Sequence, residues 1–422
     1  MRLATKAGLG LLAAALVLTG CGRSTGTAAP EQAKEVATDT PATGTVKVWA
    51  MGGEGEKLPQ LAKEYEAANP GVRIEVTAIP WGQAHDKLAG AIAAKTTPDL
   101  SMMGTTWMPE FGRTGALDPV PSLIDTTKFF PAALEPPTVD KTLYGVPWYV
   151  DTRVLFYRKD ILDKAGIKQA PRTWAELTAA AKAAQDKGGA KYGMYLPPGK
   201  GGAADVYLPW IWQQGGDILG ADGTFTFDTP ESVKALSYYQ SFFTGKLAPM
   251  ATQPGDAERW FVDGSLAMQI TGPWMVSKFL ELGGPGFADK FAVAPVPGDK
   301  TRTSFVGGAD LVVFKDSPNR DAAWKFVNWL SDPAVQVKWY GLQKDLPSVQ
   351  AAWQNPALRD NDKVAPFGEQ LKDAKATPPI GTFQQIQKLI EDQSEKLIVG
   401  GVSPENTAKA LQQGAERIGT GA

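Results

Sequence analysis

Strand and helix patterns alternate at the start of the folded part of the chain, and this alternation constrains the fold more than any other feature. Residues 46–49 have the composition of a β-strand, and residues 58–65 carry apolar side chains at helical spacing. Residues 72–76 alternate as a second strand does, and residues 84–94 return to helical spacing. A third strand pattern follows at residues 98–103. Because a helix between two strands allows them to run parallel, this order predicts a mostly parallel sheet covered by helices on both faces.

A polar interruption divides two apolar runs within residues 145–160, which read GVPWYVDTRVLFYRKD. The second run is rich in β-branched and aromatic residues and predicts a buried strand. Trp148, Tyr149 and Asp151 stand shortly before this strand. A large aromatic ring beside a carboxylate at the start of a strand could hold a sugar-sized polar ligand. A buried strand preceded by a polar turn is an equally good interpretation of these residues alone.

Helix and strand signals continue through the rest of the chain. Thr173 and Glu176 have the spacing of a capping box, which predicts that a helix begins there. Residues 207–216 are densely aromatic, and residues 264–274 predict a short strand that carries Trp274 at its end. Strands and helices are therefore expected throughout, and the sequence contains no internal repeat.

The N-terminal residues have the pattern of a bacterial lipoprotein signal. In residues 1–20, Arg2 and Lys6 precede an apolar run that is shorter than the ~20 residues needed to span a bilayer. The run ends in LTGC, which resembles the bacterial lipobox, and Cys21 is the only cysteine. These features predict a cleaved signal peptide and a lipid-modified Cys21, although an ordinary signal peptide with a stray cysteine is the alternative. Residues 21–44 are rich in Thr, Ala, Gly and Pro and predict a flexible tether.

The composition excludes several classes of function. A net charge of −2 gives no electrostatic basis for binding nucleic acid. One cysteine and one histidine rule out an internal disulfide and argue against histidine-based metal sites and catalysis. No metal-ligand spacing or cofactor fingerprint is present, so neither a metal nor a cofactor is expected. The thirteen tryptophans exceed what a core usually needs, and some of them could offer flat apolar faces to a ligand.

Several segments together resemble the family 1 extracellular solute-binding proteins of bacterial ABC sugar importers, the maltose-binding-protein group. The matching segments occur in order over nearly the whole mature chain and include YEAANPGVRIEV, WMPEFGRTGALDPV, LYGVPWYVDTRVLFYRKDIL, GSLAMQITGPW, GGADLVVF and AAWKFVNWLSDPAVQ. The resemblance implies an α/β fold with two lobes, each a mostly parallel sheet flanked by helices. Three chain crossings would join the lobes, and the ligand would lie in the cleft between them.

The resemblance also implies a division of the chain and a function. The first lobe would comprise residues 45–151 and 308–348, and the second lobe residues 152–307 and 349–422. The protein would be a monomer held by its lipid anchor at the extracellular face of the membrane. It would capture a carbohydrate, a di- or oligosaccharide, by hinge closure and deliver it to the permease subunits of an ABC importer.

Nine side chains are predicted to bind the ligand, because they match sugar-contacting positions of the family or lie near predicted strand ends. They are Glu54, Trp81, Trp107, Trp148, Asp151, Trp212, Trp274, Asp310 and Phe383. Phe383 stands where the family often has tryptophan. The alternative for each is a structural role, such as an exposed loop carboxylate for Glu54 or a buried hinge carboxylate for Asp151. Trp324 and Trp329 are instead expected on the buried face of a helix, within the hydrophobic core of the protein.

Two other classes of function compete with this interpretation. Glu54 and Asp151 could be the carboxylate pair of a lipid-anchored polysaccharide-active enzyme. However, the sequence has no nucleophile elbow, phosphate-binding loop, dinucleotide fingerprint or zinc spacing. An adhesin or signalling domain could use the same cleft to present a sugar to a receptor. The binding protein of an importer is the interpretation that we carry forward.

Overall fold

The computed structural model describes residues 32–421. The predicted signal peptide, residues 1–20, and the predicted lipidation site, Cys21, lie outside these residues. In the described part of the chain, no helix has both the length and the apolar character that crossing a membrane requires.

Strands and helices alternate from the first strand onward. The first part of the chain contains β1 (Gly44–Met51), α1 (Gly52–Ala68), β2 (Val72–Ile79), α2 (Trp81–Ala94), β3 (Leu100–Gly104), α3 (Met108–Gly112), β4 (Thr138–Val139), β5 (Thr142–Leu143), β6 (Val146–Thr152) and β7 (Val154–Arg158). The middle contains α4 (Lys159–Lys164), α5 (Trp174–Ala183), α6 (Ala203–Gln213), α7 (Pro230–Thr244), α8 (Asp256–Asp263), β8 (Met268–Thr271), α9 (Trp274–Gly283), β9 (Phe291–Ala294) and β10 (Ser304–Val313). The last part contains α10 (Arg320–Leu330), α11 (Pro333–Gln343), β11 (Leu346–Pro347), α12 (Pro356–Arg359), α13 (Ala365–Gln370), β12 (Ala374–Lys375), α14 (Phe383–Ile398) and α15 (Pro404–Ile418). Short 3₁₀ turns include Thr105–Trp107 and Pro131–Leu134.

The larger sheet has the strand order β11-β6-β10-β3-β1-β2, with β12 paired to β10. β1 lies parallel to both β2 and β3, as the alternation predicted. β10 lies between β3 and β6 and runs antiparallel to both. The sheet is therefore mixed, because its central strand returns from a distant part of the chain rather than through a single crossover helix.

The smaller sheet consists of β8, β7 and β9, and β7 in its centre is antiparallel to both neighbours. The prediction of a mostly parallel second sheet is wrong for these three strands. The physical reason is that β8 and β9 reach β7 through long excursions instead of the short strand–helix–strand units seen at the N-terminus. α5, whose predicted capping box between Thr173 and Glu176 is present, belongs with this second sheet.

The buried side chains form separate clusters on the two sheets. One cluster draws its residues from two stretches, 36–148 and 309–349, and another is dominated by residues 155–268 and 380–415. A third cluster includes Phe156, Phe261 and Phe367 beside the smaller sheet. This is a two-lobe α/β architecture. The lobe boundaries given above stay a prediction.

The segments that connect the sheets are fastened to each other. The Thr152 hydroxyl donates to the carbonyl of Phe305 at 2.5 Å, and the Ser304 hydroxyl donates to the carbonyl of Arg153 at 2.8 Å. Gly308 has φ +130°, and a Cβ there would lie 2.2 Å from the Tyr149 carbonyl oxygen. Only glycine allows the two connecting strands to approach this closely.

Part of the predicted tether contacts the folded chain. The Arg320 guanidinium donates to the carbonyl of Lys34 at 2.6 Å. Val36 and Ala42 are buried against the larger sheet and its helices. The sequence pattern missed this contact because two isolated apolar residues in a polar stretch have no periodicity.

Candidate functional site

A cavity of about 230 Å³ lies where the two sheets and their connections meet. Trp81 and Trp107 line it from the larger sheet's side, and Asp205 and Phe383 line it from helices on the other side. Its floor is the connecting segments, which contribute Asp151, Arg153, Gly307 and Gly308. A ligand in this cavity would touch residues from both lobes.

Two tryptophans form one wall of this cavity. Trp81 begins α2 and is 37% exposed, and Trp107 lies in the turn that follows β3. Their ring centroids are 5.7 Å apart in an edge-to-face arrangement. Trp81 follows β2 after one proline, and Trp107 follows β3 after two threonines, so the ends of these two strands bring the rings together. They leave aromatic surface open toward the cavity.

Glu54 lies behind this wall rather than on the cavity surface. It is buried in the first turn of α1, and its carboxylate accepts hydrogen bonds from Tyr149 and Trp81. Burial raises the pKa of Glu54, and these hydrogen bonds partly oppose the rise. Nearby Asp345 accepts from the Trp339 indole at 3.0 Å, and burial raises its pKa well above the ordinary value. Glu54 therefore faces Tyr149 and Trp81 rather than the cavity.

Arg153 and Asp205 are two candidate site residues that the sequence analysis missed. Arg153 makes the larger number of contacts with other candidate residues. Its guanidinium donates to the carboxylates of Asp151 at 3.0 Å and Asp205 at 2.8 Å. It also lies over the rings of Trp274, 4.8 Å from the centroid, and Phe305, at 5.2 Å. Burial raises the pKa of Asp151, and the charge of Arg153 opposes this rise. The sequence signal that could have identified Arg153 is its position as a charged residue between two buried strands.

Trp274 lies at the border between this cavity and a second one of about 460 Å³. It begins α9 directly after β8 and is 50% exposed. A Cβ on Gly272 would lie 2.1 Å from the Trp274 ring, so the glycine allows the indole to fold back over the chain. The second cavity is lined by Trp274 together with Tyr195, Glu258 and Gln269.

Besides Glu54, three of the predicted ligand-binding residues line neither cavity. Trp148 is 2% exposed and stacks on Trp339 in the core of the larger sheet, with ring centroids 4.7 Å apart. Trp212 is buried in α6, where its indole donates to Asp217 at 3.1 Å. Asp310 is fully buried in β10, and neither carboxylate oxygen has a hydrogen-bond partner among residues 32–421.

The misplacement of Trp148 and Asp310 has a simple cause. Side chains alternate between the faces of a strand, so Trp148 and Asp151 in β6 point to opposite faces. Val146 and Val150 share the buried face with Trp148, whereas Asp151 reaches the cavity. Proximity to a strand end did not reveal which face each side chain occupies.

The arrangement has the chemistry of a polar binding cleft. Asp151 is held in an ion pair, and the carboxylate of Glu54 is engaged by two donors. Within residues 32–421, no group of three or more His, Cys, Asp or Glu residues could hold a metal ion. Aromatic faces, carboxylates and a guanidinium converge on the first cavity.

Comparison with known proteins assigns the family. The model of the family described as bacterial extracellular solute-binding protein matches residues 50–337, which is more than half of the chain. The chain belongs to this family. The sugar-binding protein MalE from Xanthomonas citri is a close structural match, with 34% identity, a TM-score of 0.84 and coverage of 89% of this chain and 97% of that one.

Other members of the family with carbohydrate-binding descriptions match as well. The cyclic α-maltosyl-1,6-maltose binding protein from Arthrobacter globiformis has 25% identity, a TM-score of 0.80 and coverage of 89% of this chain and 99% of its own. The maltotriose-binding protein of Pyrococcus abyssi is 26% identical over 80% of this chain and 73% of its own length. These matches confirm the predicted family and the two-lobe fold of this solute-binding protein.

Proposed function

We propose that this protein is the carbohydrate receptor of a bacterial ABC importer and that its ligand binds in the cavity between the lobes. The observation that carries this proposal is the convergence of Trp81, Trp107, Asp151, Arg153 and Asp205 from different elements on one cavity. The names of its relatives, which include binding proteins for maltotriose, arabinooligosaccharide and galactooligosaccharide, support an oligosaccharide ligand.

The residue types suit a sugar. A pyranose ring has apolar C–H faces and a rim of hydroxyl groups. The rings of Trp81, Trp107 and Trp274 would cover the faces, since aromatic side chains combine large apolar area with a defined geometry. Asp151 and Asp205 would accept hydrogen bonds from the hydroxyls. Their ion pairs with Arg153 hold both carboxyl groups in position before the ligand arrives.

Binding would act by closing the lobes over the ligand. The Gln384 carboxamide on α14 donates to the Thr106 hydroxyl at 2.9 Å, a direct contact between the two sides of the cleft. Shifting a hinge from mostly open to mostly closed requires about 5.5 kcal/mol of preference for the closed state. Hydrogen bonds to charged groups contribute about 1.5–3 kcal/mol each. Two of these, together with the aromatic faces, would supply that preference without catalysis.

The membrane anchor is the second part of the proposal. Cys21 would carry the lipid, because LTGC ends a short apolar run and contains the only cysteine of the chain. Two acyl chains anchor a protein stably where one is marginal. The receptor would then remain near its permease on the extracellular side of the membrane.

A sugar panel with matched variants tests the function. The panel contains maltotriose, galactotriose, arabinotriose, diacetylchitobiose and the corresponding monosaccharides. A bound sugar at a hundred times its dissociation constant should stabilise the protein by about 2.7 kcal/mol, which a thermal-shift assay detects. Trp274→Ala should weaken binding about tenfold or more, because it removes a stacking face.

Leu282→Ala is the control for this experiment. Leu282 lies on the same helix, is 47% exposed and lines neither cavity. Its replacement should leave both affinity and melting temperature unchanged. If no sugar of the panel stabilises the wild-type protein, or if Trp274→Ala binds as the wild type does, the proposed site is wrong.

A further inference from the structure

His85 lies directly behind the aromatic wall of the first cavity. It is the only histidine of the chain and stands in α2, four residues after Trp81. Residues at this spacing share one face of a helix. Trp81 and Trp107 line the cavity, whereas His85 does not. Any effect of His85 on a ligand therefore acts through these two rings.

The Trp107 ring has two aromatic neighbours. The imidazole of His85 lies edge-to-face against it, with ring centroids 5.5 Å apart. Trp81 makes the same kind of contact with Trp107 at 5.7 Å. His85 also packs against Phe111, which is 1% exposed, with centroids 5.1 Å apart. His85 therefore connects the wall of the cavity to the core of the larger sheet.

A carboxylate on a different helix holds the imidazole. His85 Nε2 donates to Oε2 of Glu110 in α3 at 2.9 Å. The Asp86 carboxylate is 3.6 Å from Nδ1 and 97% exposed. Among the described residues, these two carboxylates are the charged groups within ion-pair distance of the ring. Glu110 is the stronger partner, because it is closer and less exposed to solvent.

The charge of the imidazole changes the strength of this contact. Histidine is the side chain that ordinarily changes its charge between pH 5 and 8. The neutral ring can donate to Glu110 through Nε2–H, and protonation gives this hydrogen bond a second charged partner. Hydrogen bonds between two charged groups are stronger, and the opposite charges attract each other. Protonation therefore holds His85 more firmly against Trp107.

We infer that His85 is a positioning residue for Trp107 and that the ligand binds more tightly when the imidazole is protonated. A ligand that stacks on Trp107 immobilises this ring, and a ring that is already held costs less to immobilise. Binding and protonation are reciprocal, so the ligand in turn favours the protonated form of His85. This inference rests on the proposed function and adds a pH dependence to it.

Titration of the single imidazole tests the inference in the wild-type protein. NMR of histidine-labelled protein that carries no histidine tag gives the signals of one imidazole. Ion pairs between partly exposed groups are weak, so protonation should raise affinity for sugar about threefold. Saturation with the best-bound sugar of the panel should then raise the midpoint of the titration by about half a pH unit.

Three variants identify the groups involved, with calorimetry at about pH 5.5 and pH 8. His85→Gln keeps a donor for Glu110 but does not titrate, and Glu110→Gln removes the carboxylate. Both variants should lose the threefold change in affinity between these pH values. Asp86→Asn is the control and should keep most of it, because Asp86 is nearly fully exposed. Other titrating groups, such as Asp151, are present in all four proteins and cancel.

The outcomes separate the inference from the function beneath it. If a bound sugar leaves the midpoint unchanged or lowers it, the inference is wrong and the proposed function stands. Parallel pH profiles for the wild type and His85→Gln would also overturn the inference. Should His85→Gln fail to fold, the wild-type titration alone decides. If the wild type binds no sugar of the panel, the proposed function and the inference both fail.

Discussion

The pH dependence of stability should reveal the buried carboxyl group of Asp310. This residue lies in the middle of the larger sheet, and its carboxylate oxygens have no hydrogen-bond partner in the described part of the chain. Its Cβ would lie 3.0 Å from a Cβ added to Gly145. Burial raises the pKa of Asp310 well above its ordinary value. The folded protein therefore keeps a proton on this group after the unfolded chain has lost it. Asp310→Asn keeps the shape and removes the titration.

The sign and size of the effect follow from proton linkage. Below the unfolded pKa of about 3.9, both states are protonated and Asp310 gives no pH dependence. As the pH rises from there toward the raised folded pKa, the unfolded state gains relative stability. The free energy of unfolding falls by about 1.4 kcal/mol for each pH unit in this window. Within this window the wild type should lose about this much per pH unit relative to Asp310→Asn.

Urea denaturation of both proteins at intervals of one pH unit from pH 4 to 8 measures this difference. Glu54, Asp151 and Asp345 also have raised pKa values, but they are present in both proteins and cancel. Asp118→Asn is the matched control. Asp118 is a buried carboxylate that accepts from Arg320 and Trp324, both at 2.7 Å, so its loss should destabilise the protein at neutral pH. Parallel stability curves for the wild type and Asp310→Asn would refute the reasoning, and loss of sugar binding in Asp310→Asn would return this residue to the site.

Three further predictions concern the core, the cleft and the anchor. Trp324→Ala removes a fully buried indole and should lower the free energy of unfolding, measured by urea denaturation, by about 3–5 kcal/mol. The folded fraction should keep its affinity for sugar. An unaltered denaturation midpoint would contradict this prediction. Gln384→Ala removes the hydrogen bond to Thr106, so small-angle scattering should show a more open unliganded protein. Sugar affinity should change less than tenfold. Identical scattering curves for the variant and the wild type would exclude a role of this hydrogen bond in closure. Cys21→Ala should move the protein from the membrane fraction to the soluble fraction, and continued membrane association would show that the anchor is elsewhere.

The N-terminal strands and helices could be predicted because their signals are local. Residues 46–103 contain short strand–helix–strand units, and each pattern falls within one element. The capping box at Thr173 and Glu176 is equally local and is present. The antiparallel placement of β10 could not be obtained in this way, because pairing between strands so distant in sequence leaves no periodic signal.

The site was only partly accessible from the sequence for the same reason. Trp81, Trp107, Asp151 and Phe383 line the first cavity, and Trp274 lines the second. Their roles in binding stay predictions. The sequence pointed to them through the family resemblance and their positions near strand ends. Arg153 and Asp205 did not stand out, because the significance of each depends on ion pairs that only the folded chain assembles.

The degree of burial in the structure also distinguishes tryptophans that look equivalent in the sequence. Trp329 was expected in the core of α10 but is only partly buried, against Tyr65 and Phe326. Trp324 in the same helix is fully buried and hydrogen-bonded to Asp118. Both fit an apolar helix face in the sequence. How deeply each side chain of that face is buried depends on how the helix packs against the sheet.

The central position of β10 has a consequence for the nascent chain. β3 is complete at Gly104, but its partner β10 begins only at Ser304. At a synthesis rate of roughly 5–20 residues per second, β3 waits on the order of 10–40 s for its neighbour. Through this interval its backbone N–H and C=O groups form an open edge that can pair with other chains. Faster folding of the first segment would not close this edge, because β10 is still missing. Protection from aggregation during synthesis would therefore require a factor that covers the unfinished chain.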